Sequence, residues 1–318
     1  AMRIFVTGAS GFVGGAATRA LVADGHELRA MSRSDRSDRR IRSLGAEPVR
    51  CDLETITANN IGDCETVLHC AAFVEAWGPK DAWHQINVLG TRTMLDRAVA
   101  AGVSRFIHIG TEAAICHGQH LHNADESVPL APDSPYPYCA TKAQAEQLVR
   151  DADRDGFTTL VLRPRFVWGP GDTTLLPMIA AMAKSGKWTW INQGRAMTST
   201  THIANLVHAI EMALTEGTGG AAYFIVDDGT IRMKDMISAM AQSRSLKLPE
   251  TSIPGWLGDG LGRTMEAIWR TFNLSGDPPL TAHAAMVMSR DCTLNGNKAW
   301  SELHYRPIIS RAEGLAGL

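Results

Sequence analysis

Tyr138 and Lys142 stand four residues apart in Tyr138-Cys139-Ala140-Thr141-Lys142. On a helix that spacing puts a phenol and an ammonium on one face, one turn apart, so that both reach one small molecule. A free phenol has a pKa near ~10 and is a poor base at neutral pH; a neighbouring cation stabilises phenolate and brings proton transfer into range. With four tyrosines and seven lysines in 318 residues, a Y-x-x-x-K arises by chance only about 0.09 times per chain. The pair is therefore read as chemistry in preference to an exposed helix start. Thr111, just past the fifth predicted strand, offers a hydroxyl to grip a substrate oxygen at the carboxyl end of a sheet, where ligands gather in open α/β folds. Its plainer role is a helix cap. Glu112 beside it is a candidate substrate contact, or a carboxylate on the rim.

A second constellation is an anion cradle. Ile4-Phe5-Val6 runs into Thr7-Gly8-Ala9-Ser10-Gly11-Phe12-Val13-Gly14, a T-G-x-x-G-x-x-G loop that opens directly into a helix. Glycine is needed where the backbone turns tightly and where a side chain would block a pyrophosphate, and the helix N-terminus offers free N–H groups to that anion. Gly8, Ser10, Gly11, Phe12, Val13 and Gly14 are the predicted cofactor contacts of this loop. At the end of the second strand, where an acid would bind ribose hydroxyls and repel a 2′-phosphate, stands Ser32. Arg33, Arg36, Arg39 and Arg40 follow. A cationic, hydroxyl-bearing pocket for the 2′-phosphate predicts NADP, with NAD the alternative and a solvated turn the competing reading of the arginines. Asp52 and Leu53, after the third strand, are placed at the adenine. Ala71 and Ala72, after the fourth, leave room for the central ribose and phosphates.

These groups need a scaffold that brings strand ends together, and the chain predicts one. Short apolar runs at Arg3 to Thr7, Glu27 to Met31, Glu47 to Cys51, Thr66 to Cys70, Arg105 to Ile109 and Thr158 to Leu162 read as strands buried on both faces. Helical periodicity at Thr18 to Asp24, Ala82 to Ala101 and Tyr138 to Asp153 separates them, with Gly25, Gly102 and Gly156 as C-caps. Alternation of this kind predicts an α/β fold, a doubly wound parallel Rossmann sheet with a smaller, mostly helical C-terminal substrate region. Residues 1–168 are assigned to dinucleotide binding, with 196–228 returning to that unit through a strand at Ala222 to Val226. Residues 169–195 and 229–318 are assigned to substrate binding, and Gly255 to Asn273 is read as a mobile lid or as a surface helix burying Leu257, Leu261, Met265 and Ile268.

Bulk properties exclude other classes. A net charge of -2 from 31 basic and 33 acidic residues gives no long-range pull toward nucleic acid or anionic lipid. No run approaches the roughly 18 apolar residues of a membrane span, and the N-terminus lacks a signal-peptide layout, so a cytoplasmic protein is expected. Six scattered cysteines suit reduced thiols. Cys116-His117-Gly118-Gln119-His120-Leu121-His122 gathers possible ligands, but its spacing matches no closed tetrahedral pattern and the tyrosine chemistry needs no metal. The expectation is no bound metal and a histidine-rich substrate loop.

Together the glycine loop, Asn87-Val88-Leu89-Gly90-Thr91, Tyr138 with Lys142, and Leu162-Arg163-Pro164 resemble the extended short-chain dehydrogenases/reductases over nearly the whole chain. The resemblance implies Tyr138 as acid/base, Lys142 as the group that binds the nicotinamide ribose and lowers the tyrosine pKa, Thr111 as partner hydroxyl, a mainly structural Asn87, Pro164 among the cofactor contacts, and a homodimer built on two sheet-flanking helices. Threonine stands where serine is commoner.

Three departures separate the chain from the nucleotide-sugar enzymes of that family. Phe166 replaces the asparagine on the diphosphate side, Thr198-Ser199-Thr200-Thr201-His202-Ile203 supplies no arginine, and Glu112-Ala113 replaces Asp-Glu. The pattern is more similar to the 3β-hydroxysteroid dehydrogenase and dihydroflavonol reductase branch, through Gly169-Pro170-Gly171-Asp172, Ile203-Ala204-Asn205 and Glu302-Leu303-His304-Tyr305-Arg306-Pro307. That branch implies hydride exchange between a hydroxyl and a ketone on a small lipophilic ring, with epimerisation of a sugar nucleotide as the alternative. Phe166 and Trp168 are placed toward the substrate, and Trp188, Trp190, Trp256, Trp269, Met178, Met182, Met265, Met286 and Met288 are candidates to line an apolar pocket.

Overall fold

Alternate residues of the first strand enter different layers: Ile4 and Val6 join one hydrophobic cluster and Phe5 the other. A strand apolar on both sides has to be covered on both faces, and a parallel sheet with crossover helices does this. A computed structural model describes all 318 residues. Its first half builds β1 (Arg3–Thr7), α1 (Phe12–Ala23), β2 (Glu27–Ser32), α2 (Asp35–Ser43), β3 (Glu47–Arg50), α3 (Ala58–Ile61), β4 (Thr66–His69), a π-helical turn (His84–Leu89) running into α4 (Gly90–Ala100), β5 (Arg105–Ile109), β6 (Leu121–Ala124), α5 (Pro137–Asp151) and β7 (Thr158–Pro164). The second half adds β8 (Val167–Trp168), α6 (Leu175–Ser185), β9 (Trp190–Ile191), β10 (Met197–Thr198), β11 (Thr201–His202), α7 (Ile203–Ala213), β12 (Ala221–Ile225), β13 (Ile231–Arg232), α8 (Met233–Gln242), β14 (Ser252–Ile253), α9 (Gly255–Thr271), α10 (Ala282–Ser289), β15 (Cys292–Leu294), α11 (Asn297–Leu303) and α12 (Arg311–Ala316).

The main sheet has seven parallel strands in the order β12-β7-β5-β4-β1-β2-β3. Chain order reverses between β1 and β4, and the crevice beyond their carboxyl ends is where ligands bind in such sheets. Leu21 of α1 packs with Leu206 and Ile210 of α7 on one face, and Met94 and Leu95 of α4 with Val149 of α5 on the other. A second sheet, β13-β10-β15-β6, sits at the carboxyl end. Trp168, Trp188, Trp190, Met233, Met236 and Met240 form the core beside it. No helix is long and apolar enough to cross a membrane.

Two local differences from the sequence reading have clear causes. The arginine run folds as α2: Ser34 caps it by accepting the Ser37 N–H at 3.1 Å, Asp35 and Asp38 sit in the first turn and Arg40 and Arg42 in the last, matching the helix dipole. Only Ile41 of α2 is buried, so hydrophobic periodicity did not mark it. Gly25 and Gly102 follow the C-caps of α1 and α4, whereas α5 ends at Ala152 and Gly156 serves the Arg154–Phe157 turn beyond it.

Candidate active site

The glycine loop sits at the β1–β4 switch point. Gly8 has φ +72°, and a Cβ there would stand 3.0 Å from the Ala71 nitrogen; a Cβ on Gly14 would overlap the Gly8 carbonyl. The Gly11 N–H donates to the Gly8 carbonyl at 3.0 Å, closing the turn just before α1. A loop with no room for side chains in front of a helix N-terminus fits a dinucleotide pyrophosphate. Thr7 ties the loop to β4: its Oγ1 accepts the Cys70 and Ala71 N–H groups at 3.1 and 3.0 Å. Its own proton then goes to His69 Nδ1 at 2.7 Å, which puts the imidazole proton on Nε2, facing Thr91 Oγ1 at 3.1 Å. Burial, reinforced by Lys142, lowers His69 to about 3 and keeps it neutral.

At the far end of this groove the expected residues divide. Ser32 is fully buried, and its Oγ is 2.5 Å from Asp38 Oδ1, so the hydroxyl is committed within the protein. Arg50 bonds the other Asp38 oxygen at 2.6 Å, and this bond, followed by that of Ser32, holds Asp38 below the usual carboxylate range. Arg33 points to solvent. The cations that line the 640 Å³ cavity beside Ser10, Gly11 and Phe12 are Arg19, Arg36 and Arg40. Arg19 was not singled out in the sequence because it lies on α1, remote in sequence from the run it joins. Asp52 Oδ1 accepts the Glu54 and Thr55 N–H groups at 2.9 and 2.8 Å and thus shapes its own turn, while Leu53 packs beneath Gly90. Ala71 and Ala72 are half-buried beside the loop, Val13 packs on the core below it, and Pro164 is buried at the end of β7, paired with Ile225.

On α5, Tyr138, Lys142 and Glu146 follow one another at four-residue spacing on one face. Lys142 is buried, with Nζ donating to the Ile109 carbonyl at 3.4 Å. Burial lowers its pKa to about 8 against the opposing pull of Glu146. Glu146 is itself fully buried, gripped by Arg163 through Nε at 2.7 Å and Nη2 at 2.5 Å. Asn87 clamps the Phe73 backbone (2.7 Å to its N–H) to Thr141 Oγ1 at 3.2 Å, which fixes the start of α5 against the π-helical turn.

Tyr138 is half-buried, with the Thr111 hydroxyl near its own. Burial and then the charge of Glu112 raise the phenol above its ordinary pKa, with the Thr111 contact pulling the other way; this is opposite to the lowering by Lys142 that the family resemblance implies, because burial dominates in the free protein. Thr111 also caps the 3-10 turn Glu112–Ile115 through the Ala113 N–H at 3.2 Å, the plainer of the roles considered for it. Glu112 is not on the rim. It is buried, accepts from Thr111 Oγ1 at 2.8 Å, and pairs with Arg165 Nη1 at 2.6 Å. His283 of α10 stands edge-on to the Tyr138 ring, centroids 5.4 Å apart, with Nδ1 3.8 Å from Cys139 Sγ; burial lowers it to about 4. Nothing in the sequence near His283 marks it, since α10 reaches Tyr138 only through the packing of the C-terminal region.

The substrate-side expectations divide. Phe166 is half-exposed with φ +50°, at the turn between β7 and β8. Trp168 has no exposed surface, and its Nε1 donates to Asp227 at 2.9 Å, so it is core and not cavity wall. Trp188 and Trp190 join it in that core, whereas Trp256 is 75% exposed. His120 and His122 are exposed on the outer side of β6, where both face Asp291.

The profile of the 3-beta hydroxysteroid dehydrogenase/isomerase family matches residues 5–254. The chain is 36% identical over its full length, and 96% of the relative's, to a 4-hydroxy-2-methyl-3-oxo-4-farnesyl-3,4-dihydroquinoline-1-oxide ketoreductase of Stigmatella aurantiaca. It is 33% identical, over 100% of its length and 98% of the other, to a 2-alkyl-3-oxoalkanoate reductase of Stenotrophomonas maltophilia. In fold it is similar to the crystal structure of UDP-glucuronic acid 4-epimerase from Bacillus cereus in complex with NAD, with a TM-score of 0.76 at 19% identity over 99% and 97% of the two chains. With the glycine loop, the Tyr138–Lys142 face and these matches together, the chain belongs to the 3-beta hydroxysteroid dehydrogenase/isomerase family, nicotinamide-dependent oxidoreductases of the extended short-chain type.

Proposed function

We propose that this protein is an NADP(H)-dependent oxidoreductase that interconverts a ketone and a hydroxyl on an uncharged lipophilic ring substrate, with Tyr138 as acid/base. The observation that carries the reading is a phenol kept protonated by burial and by Glu112, facing Thr111 at the carboxyl end of the sheet. A protonated phenol is the form that donates to a carbonyl oxygen, as ketone reduction requires. A nicotinamide cofactor held by the glycine loop would supply the hydride. Tyr138 Oη delivers the proton to the oxygen, Thr111 Oγ1 turns its proton from Glu112 to that oxygen to orient it, and Lys142 Nζ supplies positive charge beside the phenol as it becomes phenolate.

Two features argue against a sugar nucleotide. Arg163 and Arg165, the cations at the end of β7 and just beyond it, are consumed in buried pairs with Glu146 and Glu112, and Phe166 offers a ring where a diphosphate would need a donor. The relatives named as a quinoline ketoreductase and an oxoalkanoate reductase support a lipophilic ketone. Arg19, Arg36 and Arg40 around one cavity support a 2′-phosphate.

Calorimetric titration with NADPH, NADH and UDP tests the proposal, followed by a panel of cyclic and long-chain ketones. The expected result is NADPH binding at least about tenfold tighter than NADH, no UDP signal, and ketone-dependent NADPH oxidation. NADH preference together with UDP binding would instead favour the epimerase reading.

A further inference from the structure

The histidines after β5 take no part in the chemistry above. His120 and His122 flank Leu121 at the start of β6, and alternate strand residues face opposite ways, so Leu121 enters the core while the two imidazoles share the outer face. Their rings stack with centroids 6.0 Å apart. Parallel pairing of β6 with β15 brings Asp291 against them. His122 Nε2 lies 2.9 Å from Asp291 Oδ2, and His120 Nδ1 lies 3.8 Å from the same oxygen. One donor atom from each residue lies within 4.8 Å of the other two. The remaining polar atoms of Asp291 are fixed from behind: Oδ1 accepts the Met197 N–H at 2.8 Å and its carbonyl accepts the Leu121 N–H at 2.8 Å.

We propose that His120, His122 and Asp291 form a binding site for a divalent ion of the zinc class. Two imidazoles and a carboxylate are the donor set that suits zinc and nickel rather than magnesium or calcium. Tetrahedral zinc with bonds of about 2.0–2.2 Å needs donors roughly 3.3 Å apart, a separation bracketed by the 2.9 and 3.8 Å found here. The carboxylate is already oriented by a backbone N–H on its second oxygen, the outer support that ligating carboxylates require. Coordination through His120 Nδ1 replaces the bond that this atom now accepts from the Asp291 N–H at 3.0 Å. Both rings are more than half exposed, so water completes the shell. The ion would clamp β6 to β15 on the outside of the wall whose inner residues, Cys116 and Cys292, pack beside Arg165. Sequence spacing could not show this site, because the third donor lies 169 residues from His122.

The test is calorimetric titration of the full chain, free of any affinity tag, with Zn²⁺ and with Ni²⁺ near neutral pH. One saturable site per chain is expected, weakened at least about tenfold in His122→Ala and in Asp291→Asn, which keeps the acceptor for Met197, and lost in the doubly substituted His120→Ala/His122→Ala chain. All three side chains lie outside the catalytic machinery, so the metal-free reductase rate should be unchanged, which also reports an intact fold. Zinc should raise the Tm of the parent protein and not of the double variant. Absence of saturable binding by either ion, or binding undiminished in the double variant and therefore seated elsewhere, overturns the proposal.

Discussion

Tyr138 and Lys142 are each held in an environment that opposes one of their charge states. Burial and Glu112 keep the phenol protonated, and burial works against the ammonium of Lys142, lowering it from 10.5 to about 8. Replacing Tyr138 by Phe removes only the hydroxyl, so turnover should fall by about 10²–10⁴-fold while the NADPH dissociation constant stays nearly unchanged. Turnover that survives would remove Tyr138 from the chemistry. Lys142 allows a test with opposite signs for stability and activity. Between pH 8 and 10.5 the unfolded chain holds a proton on this lysine that the folded chain has lost. Stability from this group therefore rises with pH across that window and is lowest below it. A depression of this size corresponds to about 3 kcal/mol. Lys142→Met should accordingly raise the Tm near pH 7 by several degrees, with the gain shrinking toward pH 10.5, and should abolish turnover. A lower Tm in the variant would mean that attraction to Glu146 outweighs the burial.

At the scale of elements, what was legible in the sequence is what repeats locally. β1, the glycine loop and α5 carry their signals within a few residues of the atoms they position, so strand ends and the Tyr138–Lys142 face were readable. Signals that depend on another element were not. Ser32 read as a phosphate ligand until α2 brought Asp38 to it. Trp168 read as pocket lining until β12 led the chain to Asp227. Arg165 meets Glu112, and His283 the tyrosine, only after the second sheet and α10 are in place. The helix α9 makes the same point: a stripe of Leu257, Leu261, Met265 and Ile268 predicted its buried face, yet Ile268 is 40% exposed and the residues that bury are Gly255, Gly258 and Gly262. A Cβ on Gly262 would stand 2.9 Å from the backbone of Thr281 and Ala282, so Gly262 lets α9 lie directly on α10, the helix that carries His283. Gly262→Val should push the two helices apart, costing about 1–3 kcal/mol by thermal melting. KM for the ketone should rise while NADPH affinity is kept. An unchanged melting curve would show that the contact has slack.

Across the whole molecule, the main sheet and the small sheet meet at one buried ion pair. Glu112 follows β5 and Arg165 follows β7; Arg165 Nε also reaches Thr198 of β10 at 2.9 Å, and its N–H reaches Thr201 of β11 at 3.0 Å. Both side chains are less than a tenth exposed, so each charge depends on the other for compensation. Removing one partner of such a pair typically costs about 3–5 kcal/mol, whereas replacing both by uncharged groups is often close to neutral. Arg165→Met should therefore melt well below the parent protein, and the double variant Glu112→Gln/Arg165→Met should recover most of the loss. The pair also acts on the reaction, because the charge of Glu112 is among the influences that raise the Tyr138 phenol. With that charge gone in the double variant, the phenol should ionise at lower pH. The alkaline limb of kcat for ketone reduction, set by loss of the donating proton, should then move to lower pH. Recovery of stability with an unmoved limb would separate the two roles, leaving the ion pair as a junction between sheets with no hold on the proton.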